Sequence, residues 1–218
     1  MKQTAIIVAG GSGTRIGGPV PKQFLPLRGR PVLMHTLERF SDVDRIILVL
    51  PSDQLETWKE LVFRHNFIQE HTVIAGGSSR YESVRRGLRE AGTEGVVAVH
   101  DGVRPLVTPV LIKHCFETAA LHGTCIPTVV VPESVRRRTG DSTVAEDRNG
   151  FLLVQTPQCF MAEYIAKAYT GPDSPLFTDD ATVLEKAGIK LHFVEGERWN
   201  MKITFPEDLK VAEALLRS

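Results

Sequence analysis

"TAIIVAGGSGTRIGGPVPKQF", Thr4 to Phe24, sets a short, wholly apolar run with β-branched residues at its centre directly before a loop holding five glycines. An apolar run of this length fits a strand covered on both faces, as strands of parallel sheets are. The same signal recurs at "RIILVL" (Arg45–Leu50), "TVIA" (Thr72–Ala75), "GVVAVH" (Gly95–His100) and "TCIPTVVV" (Thr124–Val131). Helical spacing of apolar residues lies between them, at Pro31–Phe40, about Gln54–His65, Ser79–Ala91 and Thr108–His122. Apolar strands alternating with helices specify an α/β fold with a parallel sheet and helices on both faces.

The alternation breaks from Pro132 to Val154. Two polar, β-prone segments flank Thr139-Gly140-Asp141, and a second turn signal follows at Asn149-Gly150. This is the pattern of a β-arm projecting from the sheet. Helices return at about Ala162–Tyr169 and Asp179–Ala187. Strands are expected near Leu191–Val194 and Met201–Ile203, and a last helix over Pro206–Leu216. No internal repeat divides the chain, so residues 1–218 are read as a single domain carrying an arm at about 132–154.

Composition narrows the function. Lys plus Arg (26) equals Asp plus Glu (26), so no overall field draws the chain to nucleic acid or to anionic membrane. An anionic ligand must then be held by local clusters of cations. Cys115, Cys125 and Cys159 are odd in number and lack framework spacing, which suits buried thiols in a reducing, cytoplasmic setting. The apolar run Ala5–Ala9 is shorter than a signal-peptide core, and no stretch approaches a membrane span.

In an open parallel sheet, ligands bind beyond the carboxyl ends of the strands. The first strand delivers Gly10-Gly11-Ser12-Gly13 there, the third Gly76-Gly77 with Arg80 and Ser83, and the fourth "HDGVRP" with Asp101 and Arg104. Two familiar templates fail for the first loop. A dinucleotide fingerprint starting at Gly11 requires glycine at position 16, which is Ile16. A P-loop requires Gly-Lys-Ser/Thr, and Gly18 is followed by Pro19. What remains is glycine-rich backbone able to cradle an anion, followed by Arg15 and Lys22 as cations for a phosphoryl centre.

Each feature also has a plainer explanation. A glycine loop with two cations can be ordinary surface, and Asp101 can be a turn residue paired with Arg104. Ser78 or Ser79 can simply cap a helix. "RRR" at Arg136–Arg138 reads as a solvated run, Lys202 as exposed, and Thr156 and Thr178 as caps. No His/Cys group has zinc spacing, and the dispersed histidines read as surface or core. One carboxylate beside a triphosphate is nevertheless adequate for Mg²⁺, which makes Asp101 a candidate contact to ribose or metal.

Taken in order, "AGGSGTRIG", "PKQFLPL", "GGSSRYESV", "HDGVRP", "DRNG", "QTPQ", "TDDA" and "NMKITFPEDL" resemble the 2-C-methyl-D-erythritol 4-phosphate cytidylyltransferase family over Ala9 to Leu209. The resemblance implies a Rossmann-like, nucleotidyltransferase-type fold whose arm builds a homodimer. It also implies transfer of CMP from CTP to a phosphorylated polyol, with Mg²⁺ and release of pyrophosphate. Arg15 and Lys22 would stabilise the transition state, and Arg148 (from the partner's arm) and Lys202 would position the polyol phosphate. Ala9, Gly10, Gly11, Gly13, Gly77, Arg80 and Ser83 would surround the nucleotide. Asp101 and Arg104 would hold ribose, metal or the second substrate, with Ser134, Thr156 and Thr178 adding hydrogen bonds.

One element departs from the family's Asp-Thr-x-Lys: this chain has Glu133-Ser134-Val135-Arg136. The glycine loop is also similar to that of the sister ribitol-5-phosphate cytidylyltransferases, whereas "DRNG" favours the methylerythritol enzymes. Outside this class, the α/β pattern alone would allow an NAD-dependent oxidoreductase or a non-catalytic nucleotide-binding regulator.

Overall fold

A computed structural model describes residues 1–10 and 20–216. The first strand, β1 (Gln3–Val8), is followed by the two-residue strands β2 (Pro26–Leu27) and β3 (Arg30–Pro31) and by helix α1 (Val32–Glu38). Then come β4 (Arg45–Leu50), α2 (Leu55–Arg64), β5 (Thr72–Ala75), α3 (Arg80–Ala91), β6 (Val96–Asp101), α4 (Pro109–His122) and β7 (Thr124–Val130). The second half runs β8 (Val135–Thr139), β9 (Ser142–Glu146), β10 (Leu152–Val154), β11 (Gln158–Met161), α5 (Ala162–Ala168), α6 (Asp180–Lys186), β12 (Phe193–Glu195) and α7 (Pro206–Leu215).

The main sheet has the order β10-β7-β11-β6-β1-β4-β5, with β12 also on β7. β1 is parallel to β4 and to β6, and β5 to β4. The mostly parallel α/β sheet read from the sequence is therefore present. It carries one feature the apolar pattern did not announce: β11 is antiparallel to both β6 and β7. The stretch Met201–Ile203, read as a strand, forms none. Ile203 is fully buried, but it packs with Leu27, Val103 and Ala212 beside α7, and its N–H donates to the Val103 carbonyl.

Successive side chains of β1 enter opposite layers, as strand geometry requires. Ala5 and Ile7 pack with Leu33, Leu37, Trp58 and Phe116. Ile6 and Val8 pack with Val84, Leu88, Ile165 and Leu184. That is why the run could contain no polar residue. Gly87 allows α3 to approach closely: a Cβ there would lie 2.6 Å from Ile6 Cγ2. The three cysteines are free and buried.

The arm is a separate two-stranded hairpin, β8 against β9, turning at Gly140 with φ of 61°. Arg137 pairs with Glu146 across it. The chain re-enters the main sheet at β10, antiparallel to β7. No helix among the described residues is long and apolar enough to cross a membrane.

Candidate active site

The strand order reverses at β1, which continues to β4 on one side and is flanked by β6 on the other. This is the switch point where open α/β sheets leave a crevice. The register aligns the strand ends: Val8 lies opposite Asp101, and the Gly102 N–H donates to the Val8 carbonyl over 2.9 Å. A cavity of about 270 Å³ opens there, walled by Ala9, Gly10, Lys22, Gly77 and Ser83. A second, of about 330 Å³, is walled by Arg104, Gln155, Thr156, Gln158 and Thr178. Arg80, Asp101 and Lys202 line both. The site is a pair of chambers sharing a charged wall.

The first chamber is built largely from main chain. Gly77 sits so close to α3 that a Cβ would lie 2.3 Å from Glu82 Cβ. The loop is tied by the Gly77 N–H donating to Ser83 Oγ (3.1 Å) and by the Ser83 hydroxyl donating to the Ser79 carbonyl (2.8 Å). Ser79 caps α3 by accepting from the Glu82 N–H, an arrangement that stabilises a helix by about 1 kcal/mol. Lys22 opens a one-turn 3-10 helix, Lys22–Phe24, and is 9% exposed. The next residue anchors that turn: Gln23 Nε2 donates to the Ala9 carbonyl at 2.9 Å. Gly11, Gly13 and Arg15 lie outside the described residues.

The second chamber is built from paired charges. Asp101 Oδ2 receives Lys202 Nζ at 3.0 Å and Arg104 Nε at 3.2 Å. Burial alone would raise the Asp101 carboxyl; Lys202, Arg80 and Arg104 overcome it and hold the group well below the ordinary carboxylate range. Arg104 also donates to the Asn200 carbonyl (2.7 Å). Arg80 grips the fully buried Asp180 through both guanidinium nitrogens, at 3.0 and 2.6 Å, and the Tyr169 hydroxyl donates to the same carboxylate at 2.5 Å. Burial opposes the Arg80 charge, and Asp180 more than offsets it, so the guanidinium stays protonated.

Most of the sequence candidates converge here. Ala9, Gly10, Lys22, Gly77, Arg80, Ser83, Asp101, Arg104, Thr156, Thr178 and Lys202 all line one chamber or both. Arg148 and Ser134 do not. Arg148 lies on the exposed turn Arg148–Gly150 and donates to the Pro132 carbonyl at 2.7 Å, while Ser134 is exposed at the root of the arm. Sequence reading passed over Asp180, Gln23 and His100, each of which holds a chamber residue in place. Asp180 was visible within "TDDA", but its partner stands a hundred residues away. Among the described residues no group of three His, Cys, Asp or Glu side chains could hold a metal. Asp101, already neutralised by two cations, does not fit as the basis of a resident Mg²⁺ site.

Comparison with known proteins gives a uniform result. The family model described as 2-C-methyl-D-erythritol 4-phosphate cytidylyltransferase (IspD) matches residues 3–218. A curated protein of that name from Bacteroides thetaiotaomicron is 50% identical, covering 99% of this chain and 100% of its own. One from Porphyromonas gingivalis is 47% identical, covering 100% and 99%. Among solved structures, the 4-diphosphocytidyl-2C-methyl-D-erythritol synthase of Anaerococcus prevotii superposes with a TM-score of 0.83 at 28% identity, covering 100% of this chain and 99% of its own. The 2-C-methyl-D-erythritol 4-phosphate cytidylyltransferase of Thermus thermophilus gives 0.79 at 30%, with full coverage of both.

Proposed function

Since the chain belongs to the 2-C-methyl-D-erythritol 4-phosphate cytidylyltransferase family, we propose that its first chamber takes CTP and its second the polyol phosphate. The reaction joins the CMP part of CTP to 2-C-methyl-D-erythritol 4-phosphate. A phosphate oxygen of the polyol forms a bond to the α-phosphorus, the α–β anhydride bond breaks, and pyrophosphate leaves with the electron pair. The observation that carries this reading is the shared wall: Arg80, Asp101 and Lys202 face both chambers, so the two substrates meet across it.

No protein nucleophile is required, because such a transfer is governed by positioning and by neutralising charge. Lys22, held by the Gln23 anchor, supplies one fixed cation at the α-phosphate, and Arg15, outside the described residues, is given the same role by its place in the family motif. Gly10, Gly11 and Gly13 bring backbone against the phosphates. CTP enters as its Mg²⁺ complex, the ion carried by phosphate oxygens. Ser83 Oγ already accepts the Gly77 N–H and donates its hydrogen to Ser79, leaving one lone pair. It can therefore accept from the cytosine amine and offers nothing to the carbonyl that uracil has in that place. Arg104, Lys202, Thr156 and Thr178 hold the polyol phosphate.

A second copy of the chain completes the assembly in this reading. Val130, Leu152, Leu153 and Phe193 expose an apolar face beside the root of the arm. Covering that face with a partner's arm would bring Arg148 and Ser134, which line neither chamber of their own chain, to the partner's second chamber. Sedimentation of a fully active monomer would contradict this part. Equal numbers of cations and carboxylates, 26 of each, give no overall pull toward nucleic acid or anionic membrane, and the buried free thiols suit the cytoplasm.

The decisive experiment mixes the protein with CTP, Mg²⁺ and either 2-C-methyl-D-erythritol 4-phosphate or ribitol 5-phosphate and measures pyrophosphate. Release with the first is expected; release with ribitol 5-phosphate alone would overturn the assignment. Six curated relatives that are 43–50% identical bear the methylerythritol name, so the ribitol reading is not favoured.

A further inference from the structure

His100, the next-to-last residue of β6, is fully buried beneath the second chamber, with the Phe40 ring against it at 4.9 Å. Its two nitrogens reach residues on different loops. Nδ1 lies 3.0 Å from Thr156 Oγ1 and Nε2 lies 3.3 Å from the Arg104 carbonyl. A carbonyl oxygen accepts and never donates, so the Nε2 contact needs its hydrogen on Nε2. Burial pushes the imidazole pKa down to about 3, which leaves it neutral near pH 7 and Nδ1 bare. A bare Nδ1 accepts, so the Thr156 hydroxyl must donate to it. The Asp101 N–H meanwhile donates to the same Thr156 oxygen at 3.1 Å. Thr156 Oγ1 thus has its hydrogen and one lone pair engaged, and one lone pair remains.

We propose that His100 is a positioning residue that locks the Thr156 hydroxyl as a pure acceptor, so that Thr156 recognises a hydroxyl group of the polyol and not a phosphate oxygen. A phosphate oxygen, itself an acceptor, would meet a lone pair there and is left to Arg104 and Lys202. Through Nε2 the same ring holds the main chain that carries Arg104, so one buried side chain sets both the hydroxyl-reading and the phosphate-reading groups. The inference rests on the assignment of this chamber to the polyol phosphate.

The first test needs no substrate: ¹⁵N shifts of the histidine rings in the unmodified protein should show His100 with a protonated Nε2 and a bare Nδ1 at pH 7. A protonated Nδ1 would overturn the proposal whatever the enzyme's activity, and whether or not any variant folds. The second test is kinetic. Thr156→Val and His100→Gln should each raise KM for the polyol phosphate roughly tenfold, the effect of one lost hydrogen bond, with KM for CTP unchanged. The double variant should be no worse than the poorer single one, because both changes remove the same contact. His100→Asn, whose amide oxygen can take the place of Nδ1, should recover most of the loss seen in His100→Gln. Additive effects, an equal rise in KM for CTP, or no recovery in His100→Asn would each overturn it. If the unmodified enzyme instead released no pyrophosphate with 2-C-methyl-D-erythritol 4-phosphate, the substrate assignment would fail while the ring tautomer stood.

Discussion

The first chamber is walled by main chain, with Gly10 and the Gly77 loop pressed against α3 and a cation, Lys22, set in a short anchored turn. The second is walled by side chains that hold one another: Asp101 between Lys202 and Arg104, and Arg80 on Asp180. These two constructions fail in opposite ways. A wall of backbone is damaged by adding atoms, a wall of ion pairs by removing them. A triphosphate suits the first, since closely approaching amides can follow a chain of anions. A small polyol phosphate suits the second, where each hydroxyl and phosphate oxygen needs its own partner.

Lys22→Ala should show the largest effect; among the described residues Lys22 is the charged side chain that lines the first chamber and not the second. Losing a preorganised donor at a developing charge costs about 3–4 kcal/mol, so turnover should fall roughly 10²- to 10³-fold. Single-turnover kinetics with CTP and 2-C-methyl-D-erythritol 4-phosphate would check it; unchanged turnover would remove Lys22 from the chemistry.

Asp180→Ala tests the ion-pair wall. It leaves Arg80 facing a buried site without the carboxylate that both its nitrogens grip. Removing one member of a buried pair costs about 3–5 kcal/mol, and the low end applies because the Arg80 side chain is 28% exposed. Urea unfolding should show that loss, and affinity for both substrates should drop because Arg80 lines both chambers. A defect confined to one substrate would mean that the wall is not shared.

Gly77→Ala makes the opposite change. A methyl group 2.3 Å from Glu82 Cβ forces the loop off α3, an overpacking cost of about 1–3 kcal/mol. KM for CTP should rise at least tenfold while KM for the polyol phosphate stays put. Equal rises would erase the distinction between the chambers.

The contrast also explains what could be read from the chain beforehand. Features that one contiguous segment creates were legible: the apolar β1 followed by glycines, the Ser79 cap, the polar hairpin. β11 was not, because four residues leading straight into α5 show no period, and its antiparallel insertion depends on β6 and β7. The alternation in Met201–Ile203 suggested a strand because Ile203 is buried, yet its neighbours are α7 and the loop after β6. In the site, the motifs named the ends of each contact but not the pairing. Lys202 looked like a lone exposed lysine until folding set it on Asp101, and Thr156 looked like a cap until His100 fixed its hydroxyl. Pairings across a hundred residues are products of topology, and local spacing holds no trace of them.

The smallest effect is the dependence of stability on pH, and it separates the buried ring from the ion pairs above it. Folding lowers the pKa of His100 from the usual 6.5 to about 3, and burial lowers those of His71 and His35 as well. Below pH 6.5 the unfolded chain binds protons that the native protein refuses, so stability is fully present above 6.5 and declines as pH falls from 6.5 toward 3. Each such group contributes a slope of about 1.4 kcal/mol per pH unit inside its window. Asp101, held below its ordinary range by Lys202, Arg80 and Arg104 against the effect of burial, acts with the same sign but later, once pH drops below the normal carboxylate pKa of 3.8. Urea unfolding from pH 8 to pH 3 should therefore show loss beginning near 6.5, before carboxylates titrate. His100→Asn should reduce that early slope to the part that His71 and His35 contribute and leave the later one, while Asp101→Asn should do the reverse. Identical profiles in the two variants would mean that the ring and the carboxylate titrate as one unit, and the buried support of the second chamber could not then be distinguished from its charged wall.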